Sequence, residues 1–130
     1  MPPCTVIPEI AYPNVNGAAE WLCDAFGFTL RVGIGDHRAQ LNVGDGALVV
    51  IEMRQRAAAT PDGVMIRVAD VDAHHAHAVA RGVRVVRPPA DHPYGERQYT
   101  AVDPVGRHWT FSQSIRDVAP EEWGGTSDQL

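Results

Sequence analysis

The sequence predicts an α+β fold of two tandem βαβββ modules that form a curved mixed sheet around a shared cavity. Three observations carry this expectation. The order strand, helix, strand, strand, strand can be read twice along the 130 residues, the helix-ending glycines Gly27 and Gly82 stand 55 positions apart, and each module contains a strong turn signal, Gly44-Asp45-Gly46 or Asp103-Pro104-Val105-Gly106. A lone βαβββ unit covers one sheet face with its helix, so function is expected where the uncovered faces meet.

Module one is expected over residues 5–53 and module two over residues 63–114, within a single domain of residues 1–116. Thr5–Tyr12 is rich in strand formers, and Asn14-Val15-Asn16-Gly17 supplies turn and cap residues before a helix at Ala18–Phe26 with Ala18, Leu22, Ala25 and Phe26 on one apolar face. Strands follow at Phe28–Val32, His37–Val43 and Ala47–Met53. After the Arg54–Asp62 loop the order restarts with a strand at Val64–Val68, Asp70 as N-cap, a helix at Val71–Arg81 and Gly82 as its stop. Val83–Val86 reads as a strand broken by Pro88-Pro89, and Glu96–Val102 with His108–Gln113 as the closing hairpin.

Composition excludes several classes. All 11 basic residues are Arg and none is Lys, which removes Schiff-base chemistry, a phosphate-loop lysine and a lysine general base. The first 116 residues carry 12 acids against those 11 Arg, and the tail 117–130 adds Asp117, Glu121, Glu122 and Asp128 without a base, so the basic stripe needed for nucleic acid is missing. The longest apolar run is Ala47 to Ile51, far short of the roughly 20 residues of a membrane span. A cytoplasmic protein, with Cys4 and Cys23 as reduced thiols, is expected. The expected partners are a small-molecule ligand and a second copy of the chain, with neither nucleic acid nor membrane. Arg-only basicity with abundant Ala and Val fits a GC-rich bacterial genome.

The helix segment Ala18-Ala19-Glu20-Trp21-Leu22-Cys23-Asp24-Ala25-Phe26-Gly27-Phe28, the stretch Tyr94-Gly95-Glu96-Arg97-Gln98-Tyr99, and Asp103-Pro104-Val105-Gly106-Arg107-His108-Trp109 resemble the vicinal oxygen chelate superfamily. This is the group of glyoxalases, bleomycin resistance proteins and ring-cleaving dioxygenases, and the resemblance covers residues 5–114. It implies paired modules, commonly in dimers, and for metal-dependent members four ligands on the first and last strands of both modules. Carried over, those positions fall on Ile7 or Pro8, Glu52, Val64 and Thr110. Only Glu52 is a metal ligand of the family type, while Ile and Val have no lone pair to give, and a catalytic site needs about three protein ligands. No cofactor is therefore predicted. The alternative is a divalent metal held by a rearranged set of Glu9, Glu52 and His108.

The expected site takes Glu52 as its catalytic group, pointing into the concave face by alternation from Leu48 and Val50, where desolvation would raise its pKa toward that of a general base or anchor. Glu9, His92, Arg97, Tyr99 and Thr110 are the candidate ligand-binding residues. His92 sits in a proline-stiffened loop, and Tyr99 can stack on a flat ligand with its hydroxyl as a donor. Packing competes with binding for Arg97 and Tyr99, because their strand presents Glu96, Gln98 and Thr100 on its other face. His74 and His77 have i, i+3 spacing on the second helix and could share a surface metal, but the favoured reading is that Val71, Ala78 and His75 face the sheet and the other two lie on a solvated face. Cys23 reads as a small buried hydrophobe, and Trp123 as an anchor for the tail. The expected activity is binding of a small organic molecule without a metal, by sequestration or divergent catalysis; the alternative is a metal-dependent lyase or dioxygenase using Glu52.

Overall fold

The computed structural model describes residues 4–53, 63–116 and 119, and the chain divides into two compact units, residues 1–59 and 60–130. Unit one holds β1 (Glu9–Tyr12), α1 (Val15–Phe26), β2 (Thr29–Ile34), β3 (Arg38–Val43) and β4 (Gly46–Glu52). Unit two holds β5 (Val64–Arg67), α2 (Val71–Ala80), β6 (Arg84–Asp91), β7 (Glu96–Val102) and β8 (His108–Ser114). Each builds its own four-stranded mixed sheet, in the orders β1-β4-β3-β2 and β5-β8-β7-β6, with the first strand parallel to the last and the rest antiparallel. The duplication read in the sequence is thus real at the level of topology.

Local chemistry fixes both helices. The Asn14 side chain accepts from the Gly17 N–H at 2.9 Å and Asp70 from the Ala73 N–H at 3.0 Å, and each such cap contributes about 1 kcal/mol. Because Asn14 is the cap, α1 starts at Val15, three residues before the predicted start. Gly27 ends α1 in the left-handed region, φ 77°, with its N–H on the Cys23 carbonyl.

Register sorts the side chains onto two faces, since directly paired residues share one. In unit one Ile10, Tyr12, Ala39, Leu41, Leu48 and Val50 form one row, all buried, and this is the face that α1 covers with Val15, Ala19, Leu22 and Phe26. The equivalent row in unit two is Tyr99, Ala101, Trp109 and Phe111, none of them exposed, covered by α2 through His74, His75 and Val71. Burying such large side chains stabilises each sheet by about 1.5–3 kcal/mol apiece.

Three expectations are corrected here. β1 is only four residues long and begins just after Pro8. β6 runs straight through Pro88-Pro89 instead of breaking there. The prolines are tolerated because β6 is an edge strand whose pairing to β7 is interrupted by two register shifts, between Val85 and Arg87 and between Arg87 and Ala90. Third, His74 turns toward the sheet, its ring 4.1 Å from Phe111 between centroids, with His75 edge-on to Tyr99, so His74 and His77 do not form a solvent-facing pair. The predicted Arg54–Asp62 loop, Trp123 and the tail acids lie outside the described residues. Among those described, no helix is long and apolar enough to cross a membrane.

Candidate functional site

The face of the second sheet opposite α2 carries a cleft of about 370 Å³ lined by both apolar and polar side chains. One row crosses all four strands: Arg87 on β6 pairs with Thr100 on β7, Thr100 with Thr110 on β8, and Thr110 with Met65 on β5. All four line the cleft, together with Ala90, Gln98 and the His92–Tyr94 turn. The extra residue at the first β6 register shift is what brings Arg87, rather than Val86, opposite Thr100.

Its polar groups are connected. The Tyr94 hydroxyl donates to Gln98 Oε1 at 3.2 Å, Gln98 Nε2 donates to Ser112 Oγ at 3.0 Å, and the Ser112 hydroxyl donates to Glu96 Oε1 at 2.8 Å. Arg67 lies 3.7 Å from the same carboxylate. Beside this chain the Thr100 and Thr110 hydroxyls share a 2.8 Å hydrogen bond, and the His92 and Tyr94 rings stack at 5.1 Å with 15° between their planes. A cleft of this size with convergent polar groups and an aromatic wall has the form of a small-molecule site.

Of the residues singled out by sequence, His92 and Thr110 lie together in this cleft. Arg97 and Tyr99 do not join them: register puts both on the helix-covered face. Arg97 bonds Asp91 at 2.9 Å and Asp72 on α2 at 3.1 Å, and these two carboxylates push its pKa up. The Tyr99 hydroxyl stands 2.5 Å from His74 Nδ1, and burial pushes its pKa far up from 10.0. Both therefore act in packing α2 onto its sheet. Sequence reading missed Arg87, Tyr94, Gln98, Thr100 and Ser112. The signal was present in β8, where the large apolar Trp109 and Phe111 alternate with Thr110 and Ser112; counting back through the hairpin assigns Tyr99 to the Phe111 side and Gln98 to the Ser112 side.

Glu52 also needs correction. Leu48 and Val50 belong to the helix-covered row, so alternation sends Glu52 to that side, at the exposed end of β4 opposite Tyr12. Equivalent hairpin positions match Glu52 with Gln113, which caps α2 by accepting from the Val71 N–H at 2.9 Å; Thr110 matches Val49. Glu9 pairs with Val49 on the opposite face from Glu52 and sits 3.5 Å from Arg38. Of the alternative set Glu9, Glu52 and His108, the two carboxylates of unit one thus stand on opposite faces of their sheet. The register positions on the open faces of first and last strands are Glu9 and Val49 in unit one, Met65 and Thr110 in unit two. Taken unit by unit, neither Glu9 with Val49 nor Met65 with Thr110 supplies the three or so ligands a divalent metal needs, and Glu9 lies 3.5 Å from Arg38. Among the described residues no three His, Cys, Asp or Glu side chains are grouped to hold one.

Unit one has a larger concavity, about 960 Å³, where α1 leaves the edge strand β2 uncovered; Trp21, Leu30, Gly33 and Ala39 line it with the exposed acids Glu20 and Asp24. Cys23 lies on its wall, and burial pushes the thiol pKa up, opposite to what a nucleophile needs. Its acids are exposed, whereas the smaller cleft of unit two carries linked hydrogen bonds on its wall and is the better candidate.

The model of the Glyoxalase/Bleomycin resistance protein/Dioxygenase superfamily matches residues 6–111. An uncharacterized protein of Mycobacterium tuberculosis (strain ATCC 25618 / H37Rv) is 36% identical over 63 residues, which span 48% of this chain and 37% of that relative. Among solved structures, TioX from Micromonospora sp. ML1 is 29% identical with a TM-score of 0.76, covering 86% of this chain and 99% of its own. The bleomycin-binding protein of Streptomyces verticillus, crystallised with copper(II)-bleomycin, is 24% identical with a TM-score of 0.67 over 83% of this chain and 93% of its own, a likeness of fold. A family match across both modules, on a βαβββ topology realised twice, leads to one conclusion: the chain belongs to the glyoxalase/bleomycin resistance protein/dioxygenase superfamily.

Proposed function

We propose that this protein binds a small organic molecule on the open face of its second module, without a metal ion. The observation that carries this reading is the cleft itself, lined by Tyr94, Gln98 and the Thr100–Thr110 pair, with Tyr94 and Gln98 held from behind by hydrogen bonds that run on to Ser112 and Glu96. Hydrogen-bonding groups already fixed by one another are preorganised for a ligand and cost little further ordering on binding. The donor set on first and last strands supports the metal-independent part. Binding rather than turnover is proposed because the cleft walls offer hydroxyls, an amide and stacked rings, with no Lys and no acid–base pair poised on a nucleophile. That a protein of this fold carries copper(II)-bleomycin agrees with the reading. We propose in addition that the chain acts as a homodimer, since the edge strand β2 leaves Leu30, Val32 and Ile34 exposed.

The test is a thermal-shift screen of small organic molecules on the full chain, repeated with chelator and on Ala90→Phe, which places a ring in the cleft at an exposed edge position. Hits that persist in chelator and vanish in Ala90→Phe support the reading. Hits abolished by chelator, or untouched by the added ring, refute it.

A further inference from the structure

We infer that the cleft of unit two selects flat aryl carboxylates; this rests on its proposed role as a small-molecule site. Arg87 is the guanidinium on the cleft wall, exposed and without an ion-pair or hydrogen-bond partner among the described residues, whereas Arg97 and Arg67 each have a carboxylate. Glu96, the acid closest along the chain of hydrogen bonds, is occupied by Ser112 and Arg67 and does not line the cleft. The field inside is therefore positive, and a guanidinium left free presents a fork matched to a carboxylate.

Next to Arg87 in the row, Thr100 is only 4% exposed and is hydrogen-bonded to Thr110. In such a pair one hydroxyl donates and the other accepts, so one hydroxyl hydrogen remains to be given to a ligand oxygen. Arg87 with the threonine pair thus offers a cation and a neutral donor side by side, which suits an anion with two oxygens. The rest of the ligand is read by shape. The parallel His92–Tyr94 stack and Pro88 form a flat wall, and the 63%-exposed Met65 thioether at the far end of the row favours contact with an aromatic edge. From Arg87 to Met65 is three interstrand spacings, about 14 Å, which leaves room for a two-ring system beyond the carboxylate.

The probes are 2-naphthoate and its uncharged counterpart 2-naphthamide, titrated calorimetrically into wild type, Arg87→Gln, Arg87→Lys and Tyr94→Ala. Wild type is expected to hold the carboxylate at least tenfold more tightly than the amide. Arg87→Gln should remove that preference, Arg87→Lys should restore part of it, and Tyr94→Ala should weaken both ligands alike. Equal affinities in wild type, or a preference that survives Arg87→Gln, would overturn the selection for anions and leave the cleft as a neutral small-molecule site, because the amide still binds. Absence of binding by both probes would overturn the aromatic class, and binding of both that persists in Ala90→Phe would overturn the proposed function itself.

Discussion

Trp109 donates its indole N–H to Asp103 Oδ2 across 2.9 Å, tying the last strand of module two to the turn that precedes it. The other carboxylate oxygen, Oδ1, accepts from the backbone N–H groups of Val105 and Arg107, both at 3.0 Å, and the Asp103 side chain is fully buried. Asp103→Ala leaves these donors buried and unmatched, each costing about 1–3 kcal/mol, so urea denaturation should show a loss of about 3 kcal/mol or more. Asp103→Asn keeps an acceptor for the backbone and turns a second donor on Trp109; it should lose less. Equal, small losses in both would mean that the turn is held by its backbone alone.

Tyr99 sets a pH dependence whose sign follows from its burial. Its phenol is charged only when deprotonated, and burial pushes the folded-state pKa well above 10.0. Above about pH 10 the unfolded chain sheds this proton while the folded chain keeps it, so stability is whole below that pH and falls as pH rises further. The urea midpoint should drop between pH 9 and pH 11, and Tyr99→Phe should drop less over the same range. At pH 8 the same variant loses the hydrogen bond to His74, a cost of about 1 kcal/mol.

Which parts of this were legible in the sequence depends on whether a signal was local. Caps, helix-ending glycines and hairpin turns are short-range, and Asn14, Asp70, Gly27 and Asp103-Pro104-Val105-Gly106 all do what their chemistry predicts. Strand faces are not local. Leu48, Val49 and Val50 are all buried, so hydrophobicity could not tell which side of β4 the helix covers; only pairing with Ile10 and Leu41 does. An error of one residue there moves Glu52 from one face to the other. Arg87 was hidden for a further reason: two register shifts around Pro88-Pro89 decide where it points, and a proline pair in sequence reads as a break.

Placing Glu52 on the helix-covered side makes its removal harmless to ligand binding. Glu52→Gln should leave every thermal-shift hit and the urea midpoint unchanged within error, since surface substitutions away from special features fall within about ±0.5 kcal/mol. Abolished binding in this variant would return Glu52 to the site and contradict the register of β4.

An apolar edge strand left in water is a liability unless it is covered. β2 is exposed at all six positions, with Leu30 at 59%, Val32 at 40% and Ile34 at 43%. Light scattering should therefore return twice the 14.1 kDa chain mass, and Val32→Lys should return the single mass. Dimers that persist with Lys at that position would place the contact on another surface.

The hydrogen-bond chain below the cleft is expected to behave as a unit. Gln98→Leu removes the Gln98 acceptor of the Tyr94 hydroxyl and the donor to Ser112, and Ser112→Ala removes both the acceptor for Gln98 and the donor to Glu96. Both single changes break the shared Gln98–Ser112 link, so the double variant has less left to lose than the two losses added together. A double-mutant cycle on urea stability should give a coupling of about 0.5–3 kcal/mol, and the same cycle on ligand affinity should couple in the same direction. Additive losses would mean that Gln98 and Ser112 hold their geometry independently, and that the cleft floor is ordered by the sheet rather than by its side chains.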